Sequence, residues 1–375
     1  MPMTSAAHPD VVIIGAGVSG LFAATKLAQN NVDVTVLEAR DRVGGRLFSP
    51  VVSGGRIDLG ATWYWPNEPR IIDLIARGSL ATFPQHTAGE MLFQTNDDRP
   101  QRMPNQLDAE SGRLTDGMQS ITELLTAQLT PGTVRLNTLV GSIVPSGAVL
   151  EVSSSEEAWS AKHVILALPP ALAINTIDFA DHLPDRIGGL ARATPVWMGA
   201  TVKVVAVFER PFWREKGLAG SAFSYTGPMR ELHDMSGPEG EPAAIFGFCA
   251  LPVGEPAPTK DDVIAQLVDL FGADASHPTD VLVMDWRSEG FTSPENVERL
   301  TNYQTYGHPE YQRAFLDGRL HWASTETSPV APGHIEGALA AAERASSAVL
   351  SSLSSLSSLS SRSSLDQFTP APGHS

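Results

Sequence analysis

An α/β fold is predicted for this chain from three features: short runs of strand-forming apolar residues, a glycine-rich turn wedged between the first run and an Ala-rich helix, and a second apolar run close behind. Strand, helix and strand within about 30 residues make a βαβ unit, because parallel neighbours need a crossover connection. With 375 residues, 42% of them hydrophobic, the chain can bury more than one core, and two domains are expected.

Val11 to Ile14 reads as the first buried strand, Leu21 to Leu27 as the helix after it, and Val32 to Leu37 as the second strand. Gly117 to Leu129 reads as another helix, with short strands at Val134 to Leu136 and Ala148 to Val152. Val164 to Leu168 is a buried strand stopped by Pro169 and Pro170. Val202 to Phe208 alternates as a strand until Pro211 interrupts it, so a second set of layers follows the first. A last helix is expected to run to about Leu350. Beyond it, Ser351 to Ser364 is nearly all serine, with Leu353, Leu356 and Leu359 at a spacing that drifts around a helix, and a disordered tail is expected.

The excess of 42 acidic over 26 basic residues, a formal charge of -16, repels polyanions and argues against nucleic acid or an anionic membrane as partner. The single cysteine, Cys249, excludes an internal disulfide framework and fits a reducing cytoplasm. Met1 to Asp10 lacks the basic start and apolar stretch of a signal peptide, and no window approaches the roughly 18 to 20 apolar residues of a membrane span. A soluble, cytoplasmic protein is expected. No Ser/His/Asp nucleophile arrangement and no paired-histidine metal spacing stands out, so hydrolases and metal centres rank low.

Gly15-Ala16-Gly17-Val18-Ser19-Gly20 sits directly between the first strand and the first helix. Gly15 allows the tight turn, Gly17 lets a pyrophosphate approach the backbone, and Gly20 lets helix and strand pack closely. The helix N-terminus then faces the negative charge. Glu38 closes the second strand about 18 residues on, where a carboxylate can accept hydrogen bonds from ribose hydroxyls. Together these predict a dinucleotide site.

Glu38-Ala39-Arg40-Asp41-Arg42-Val43-Gly44-Gly45-Arg46 extends that motif, and Ile57-Asp58-Leu59-Gly60-Ala61-Thr62-Trp63 follows it. Further along stand Val164 to Pro170, Met198-Gly199-Ala200-Thr201-Val202-Lys203, Phe208-Glu209-Arg210-Pro211-Phe212-Trp213, His321 to Thr327 and Pro332 to Ala338. In these segments the chain resembles the flavin monoamine oxidase family, as a compact member. The resemblance implies FAD as cofactor and an FAD-binding Rossmann-like domain (1–80, 112–193, 289–350) with a smaller, discontinuous α+β substrate domain (81–111, 194–288) before the tail (351–375). It implies cofactor contacts at Gly15, Gly17, Ser19, Gly20, Glu38, Ala39, Arg40, Gly45, Arg46, Gly60, Ala61, Thr62, Trp63, Val140, Ser324, Glu326 and Ile335, and a flavin-stacking role for Trp286. Lys203 falls on the family's flavin-facing lysine, Tyr303 on one wall of its aromatic cage and His334 on the other, and these three are the catalytic candidates. The implied reaction oxidises a small-molecule amine with dioxygen, yielding hydrogen peroxide.

Departures from the family pattern carry their own expectations. Asn302 stands where covalently flavinylated members carry cysteine, so FAD is expected to be held without a covalent bond. His334 replaces the second cage tyrosine, Ser324 replaces a glycine, and only about 50 residues separate Trp63 from Gly117, which predicts a smaller or more open cavity. Two other readings stay open: an oxidase of a dihydronicotinamide, like renalase, or of an amino acid, and a flavin-binding protein without turnover. Nothing in the sequence fixes the oligomeric state.

Overall fold

The computed structural model describes residues 8–96 and 99–365. Five parallel strands form one sheet in the order Leu320–Trp322, His163–Leu166, Val11–Ile14, Val34–Leu37 and Val134–Arg135. Val11–Ile14 is central and buried throughout. Side-chain alternation sends Val11 and Ile13 into a core shared with Leu21, Ile121 and Leu339, and Val12 and Ile14 into a second core with Ala173, Ile187 and Trp322. Helices therefore cover both faces, which is why these strands read as continuous apolar runs.

The expected elements recur with small shifts at their ends: the first helix spans Val18–Ala28, the next expected one Ser120–Ala127, and the strand before Pro169 is His163–Leu166.

A seven-stranded sheet forms the second layer set, in the order Asp280–Asp285, Val202–Phe208, Ala243–Cys249, Met229–Asp234, Leu218–Ser224, Glu90–Gln94 and Gln101–Pro104. Segments far apart in sequence thus share one sheet. Val202–Phe208 is antiparallel to both of its neighbours and buried at all seven positions. Val202, Val204, Ala206 and Phe208 pack with Val263 and Leu267 of the helix Lys260–Phe271, whose first turn is closed by a Thr259–Asp262 capping box. Val205 and Val207 face Ile57, Leu59 and Phe246 instead, and alternation puts Lys203 on that same face.

The last helix runs from Ile335 to Leu365, past the end expected near Leu350. Leu350 and Leu353 pack against the first core. The hydroxyls of Ser351, Ser354 and Ser355 donate to carbonyls three or four residues back, so these serines satisfy their polar groups inside the helix. The expectation of disorder from Ser351 is therefore corrected as far as Leu365, and the rest of the tail lies outside the described residues. Among the described residues no helix is long and apolar enough to cross a membrane.

Candidate active site

The glycine-rich turn caps the central strand. Gly15 has φ +103°, a conformation that favours glycine, and its N–H donates to Leu37 O at 2.8 Å. A Cβ on Gly20 would stand 1.9 Å from Gly15 O, so only glycine lets the helix begin this close to the strand. At Gly17 the nearest atom to such a Cβ is Gly44 O, 4.0 Å away, and the backbone is open to approach. No side chain caps the helix at Gly17, which leaves its first N–H groups for an anion.

These residues border a cleft of about 1130 Å³, counting its open mouth. Gly15, Gly17, Ser19, Glu38, Ala39 and Arg40 line one part of it, with Gly45, Arg46, Ala61 and Val140 beside them. Ser324, His334 and Ile335 bring in the start of the last helix. Glu38 accepts from the N–H groups of Ala16 (2.7 Å) and Arg40 (3.0 Å), which aims its carboxylate at the cleft floor. Among the described residues Ser324 Oγ is buried without a hydrogen-bond partner, and Arg40 Nε, which also lacks one, lies 3.5 Å from Glu289 Oε2 in an ion pair. An approachable glycine backbone, an uncapped helix start, an oriented carboxylate and an unsatisfied buried hydroxyl fit an adenine dinucleotide with its ribose hydroxyls and pyrophosphate.

Glu326 is not part of the cleft wall; it is fully buried and forms a two-pronged ion pair with Arg46, which does line the cleft. Burial works against the Arg46 charge, but Glu326 more than offsets it and holds the guanidinium above its ordinary value. Glu326→Gln would strand that charge, and a loss of about 3 kcal/mol in unfolding free energy is expected by urea titration. The amide would keep the shape, so an unchanged midpoint would show that the pairing contributes nothing net.

Lys203 is nearly inaccessible behind this wall. Its ammonium donates to Gly60 O at 2.9 Å and Thr62 Oγ1 at 2.5 Å, and lies 4.4 Å from the Phe246 ring centre, with Phe248 and Trp63 within 6 Å. Among the described residues no carboxylate is in salt-bridge contact with it. Burial pulls its pKa down from 10.5 to about 7, with Asp58 opposing and Arg113 adding to the shift. A lysine poised between its charged and neutral forms at neutral pH can give or take a proton. A solvated edge-strand lysine could not be tuned in this way.

Trp63 continues from this lysine as the start of an aromatic row. It meets Phe246 at 5.3 Å and Trp65 at 6.5 Å, and Trp65 in turn meets His334 at 4.8 Å. Trp286 does not border this cleft: its indole is fully buried and its Nε1 donates to Leu59 O at 2.9 Å, so it braces the irregular segment that carries Gly60. Tyr303 is also outside the wall, 44% exposed and edge-on to Tyr306. Tyr306, three residues on, is the ring beside Gly333, and its hydroxyl accepts from Trp197 N at 3.2 Å. The string Asn302-Tyr303-Gln304-Thr305-Tyr306 offered both tyrosines, and a single turn of 3-10 helix leaves Tyr303 exposed and sets Tyr306 beside Gly333. Trp65 and Glu68 were missed because the signal that would have found them, two tryptophans flanking Tyr64, matched no motif.

Opposite Trp63, His233 stacks on Phe246 and bonds Asp108 through Nδ1 (2.5 Å) and Glu231 through Nε2 (2.9 Å). Asp108 also accepts from Ser221 and from Asn105 Nδ2. The loop around residue 108 is thereby clamped to the seven-stranded sheet. Burial would lower the His233 pKa, but its carboxylate partners hold it above 6.5; burial would raise that of Asp108, but His233 holds it below 3.8. The His233 contribution is full below pH 6.5 and lost as pH rises through its higher folded value. That of Asp108 is present above pH 3.8 and lost as pH falls through its lower folded value. Hydrogen exchange in residues 105–111 is expected to be slowest between pH 4 and 6.5 and to accelerate above it, beyond the intrinsic base-catalysed increase. A protection factor independent of pH would refute the clamp.

Comparison with known proteins places these features in context. The family model described as flavin containing amine oxidoreductase matches residues 18–110 and 86–350. Putrescine oxidase of Kocuria rosea is 25% identical, aligning over 93% of this chain and 96% of its own. The flavin-containing amine oxidase B of Sus scrofa is 25% identical over 91% of this chain and 86% of its own, and an L-amino acid dehydrogenase of Synechocystis is 23% identical. Among solved structures, putrescine oxidase bound to putrescine superposes with a TM-score of 0.78 at 22% identity, covering 92% of this chain and all of that one. Cyclohexylamine oxidase of Brevibacterium oxydans gives 0.77 at 20% identity, covering 92% and 99%.

Proposed function

This chain belongs to the flavin-containing amine oxidoreductase family and is a flavoenzyme that uses FAD, and from that premise we propose that it oxidises a small-molecule amine with dioxygen as final electron acceptor. FAD, when bound, supplies the acceptor for a hydride equivalent from the carbon bearing the amine and passes the electrons to dioxygen, giving hydrogen peroxide. Water then hydrolyses the imine product to a carbonyl compound and ammonia or a smaller amine.

Gly15, Gly17, Ser19 and Gly20 would hold the pyrophosphate at the helix start, with Glu38 on the ribose and Arg40 and Arg46 supplying positive charge. Gly60, Ala61, Thr62 and Trp63 would border the ring system from one side, and Ser324, Ile335 and the start of the last helix from the other. Cys249 is buried in a strand of the substrate-side sheet, away from the cleft, with its thiol pushed up to about 12. It is a poor nucleophile, which supports non-covalent binding.

The observation that carries the reading is Lys203: a lysine in an aromatic enclosure, brought near neutrality and tied to Gly60 and Thr62 directly behind the cleft wall. It would position water and exchange protons while Trp63 and His334 shape the amine's approach. The test is anaerobic titration of the purified flavoprotein with primary, secondary and polyamines. Bleaching of the visible flavin band by an amine, reversed by air with release of peroxide, is the expected result. Bleaching by reduced nicotinamide or an amino acid alone would replace the amine reading.

A further inference from the structure

His334 is more than a substitute for an aromatic wall. Its Nδ1 lies 2.7 Å from Glu68 Oε1, and the two side chains differ sharply in surroundings: the carboxylate is 5% exposed, the imidazole 44%, opening on the cleft. Glu68 is itself fixed, since its other oxygen accepts from Trp65 N at 3.0 Å. Trp65 packs on the imidazole face. The backbone carbonyl of His334 accepts from Thr325 Oγ1, and Glu336 in the first turn of the last helix accepts from the N–H groups of Arg70 and Ile71, so the two helix starts that carry the contact are pinned together. Nearby charges are already matched: Arg70 with Glu336 and Glu343, and Arg46 with Glu326. Tyr306 beside Gly333 stays a neutral phenol, its pKa raised by burial. Lys203 is at the far end of the aromatic row.

A carboxylate bound to one nitrogen fixes the neutral ring with its proton on Nδ1 and a lone pair on Nε2. We propose that His334, held by Glu68, is the base that takes a proton from the ammonium form of the substrate before oxidation. The inference rests on the amine-oxidase reading above. An alkylamine is protonated up to about pH 10, and its carbon gives up a hydride equivalent only when the nitrogen lone pair is free. In this step the substrate N–H bond breaks, an Nε2–H bond forms, and the positive charge moves onto an imidazolium paired with Glu68. Water carries the proton away afterwards. Glu68 is a positioning residue here, since it acts through the ring.

Two measurements test the dyad. In ¹⁵N-histidine-labelled protein, the neutral ring of His334 is expected as the Nδ1–H tautomer in the wild type and to lose that preference in Glu68→Gln. An Nε2–H tautomer in the wild type would overturn the proposal without any turnover being measured. Single-turnover flavin bleaching by putrescine and by cyclohexylamine, followed from pH 6.5 to 9.5, is the second.

His334→Phe, which keeps a ring and loses the base, is expected to be slowed at least tenfold at pH 7.5. It should recover to within threefold of wild type at pH 9.5, where more free amine is supplied by solution. Glu68→Gln should fall between. Equal slowing at every pH, or none, in variants that retain their flavin spectrum would sink the dyad and leave the oxidase reading intact. If neither amine, nor any other, bleaches the wild type, the oxidase reading fails and the dyad falls with it.

Discussion

Lys203→Met is expected to slow flavin turnover about 100-fold at pH 7.5 and, in the same protein, to raise the unfolding temperature. The first effect follows from the loss of a proton-exchanging group, which typically contributes a factor of 10² to 10⁴. It has a pH signature: the limb near pH 7 that reports loss of the Lys203 proton should vanish from the variant profile. The second effect follows from linkage. The Lys203 pKa is depressed on folding, so between about 7 and 10.5 the unfolded chain binds the proton more readily than the folded one, and stability rises with pH across that window. At neutral pH the native fold carries a penalty on the order of 4 kcal/mol for burying this group. Methionine fills similar volume without a charge, so the penalty and the slope both disappear. Stopped-flow bleaching and thermal melts at pH 6, 7.5 and 9 decide the matter. A variant both less active and less stable would mean that Lys203 is mainly a structural anchor for Gly60 and Thr62.

Gly20→Ala is expected to yield protein that purifies without a visible flavin band, with FAD affinity reduced at least about 100-fold, or ~2.7 kcal/mol. The added Cβ would sit 1.9 Å from Gly15 O, and neither partner is a flexible side chain. The helix must retreat from the strand, taking the amides of Val18 and Ser19 with it. Gly189→Ala is the matched control: it is within the helix Asp185–Ala193 with nothing within 4 Å of the new methyl, and a gain of about 0.5–1 kcal/mol is expected. Isothermal titration of the refolded apoproteins with FAD measures the affinities, and urea titration measures the gain in stability. Normal affinity in Gly20→Ala would show that the turn can relax, and the close-packing argument would fail.

The first sheet was readable in the sequence because each central strand is buried on both faces, so Val11–Ile14 and His163–Leu166 appear as unbroken apolar runs bounded by glycine or proline. The turn from Gly15 to Gly20 was readable for a different reason, steric exclusion of side chains. Much of the second sheet was not. Leu218–Ser224 and Gln101–Pro104 lack alternation, since one is buried at nearly every position and the other exposed at every one. At the site, Lys203 was reached through the resemblance of its flanking segments and not from its strand pattern, and which of Tyr303 and Tyr306 packs beside Gly333 could not be read. For Trp286 the sequence could not separate a ring that braces the backbone, as its bond to Leu59 O does, from one that lines the cleft, since both leave the same trace. The Glu68–His334 pair was invisible because its members are 266 residues apart and, although His334 falls in the Pro332 to Ala338 segment, Glu68 belongs to no motif.

The hydroxyl of Ser19, in the glycine-rich turn, donates to the carbonyl of Ala323, and the strand Leu320–Trp322 completes the sheet that begins with Val11–Ile14. On the ribosome, therefore, the front of the cleft is synthesised some 300 residues before its back. Until the last strand and the helix behind it emerge from the exit tunnel, the apolar face around Leu21 and Ala24 has no cover from Leu339 and Ala342. Cofactor capture is thus a late event in biogenesis. A premature stop before Leu320 would give a product that cannot complete this sheet.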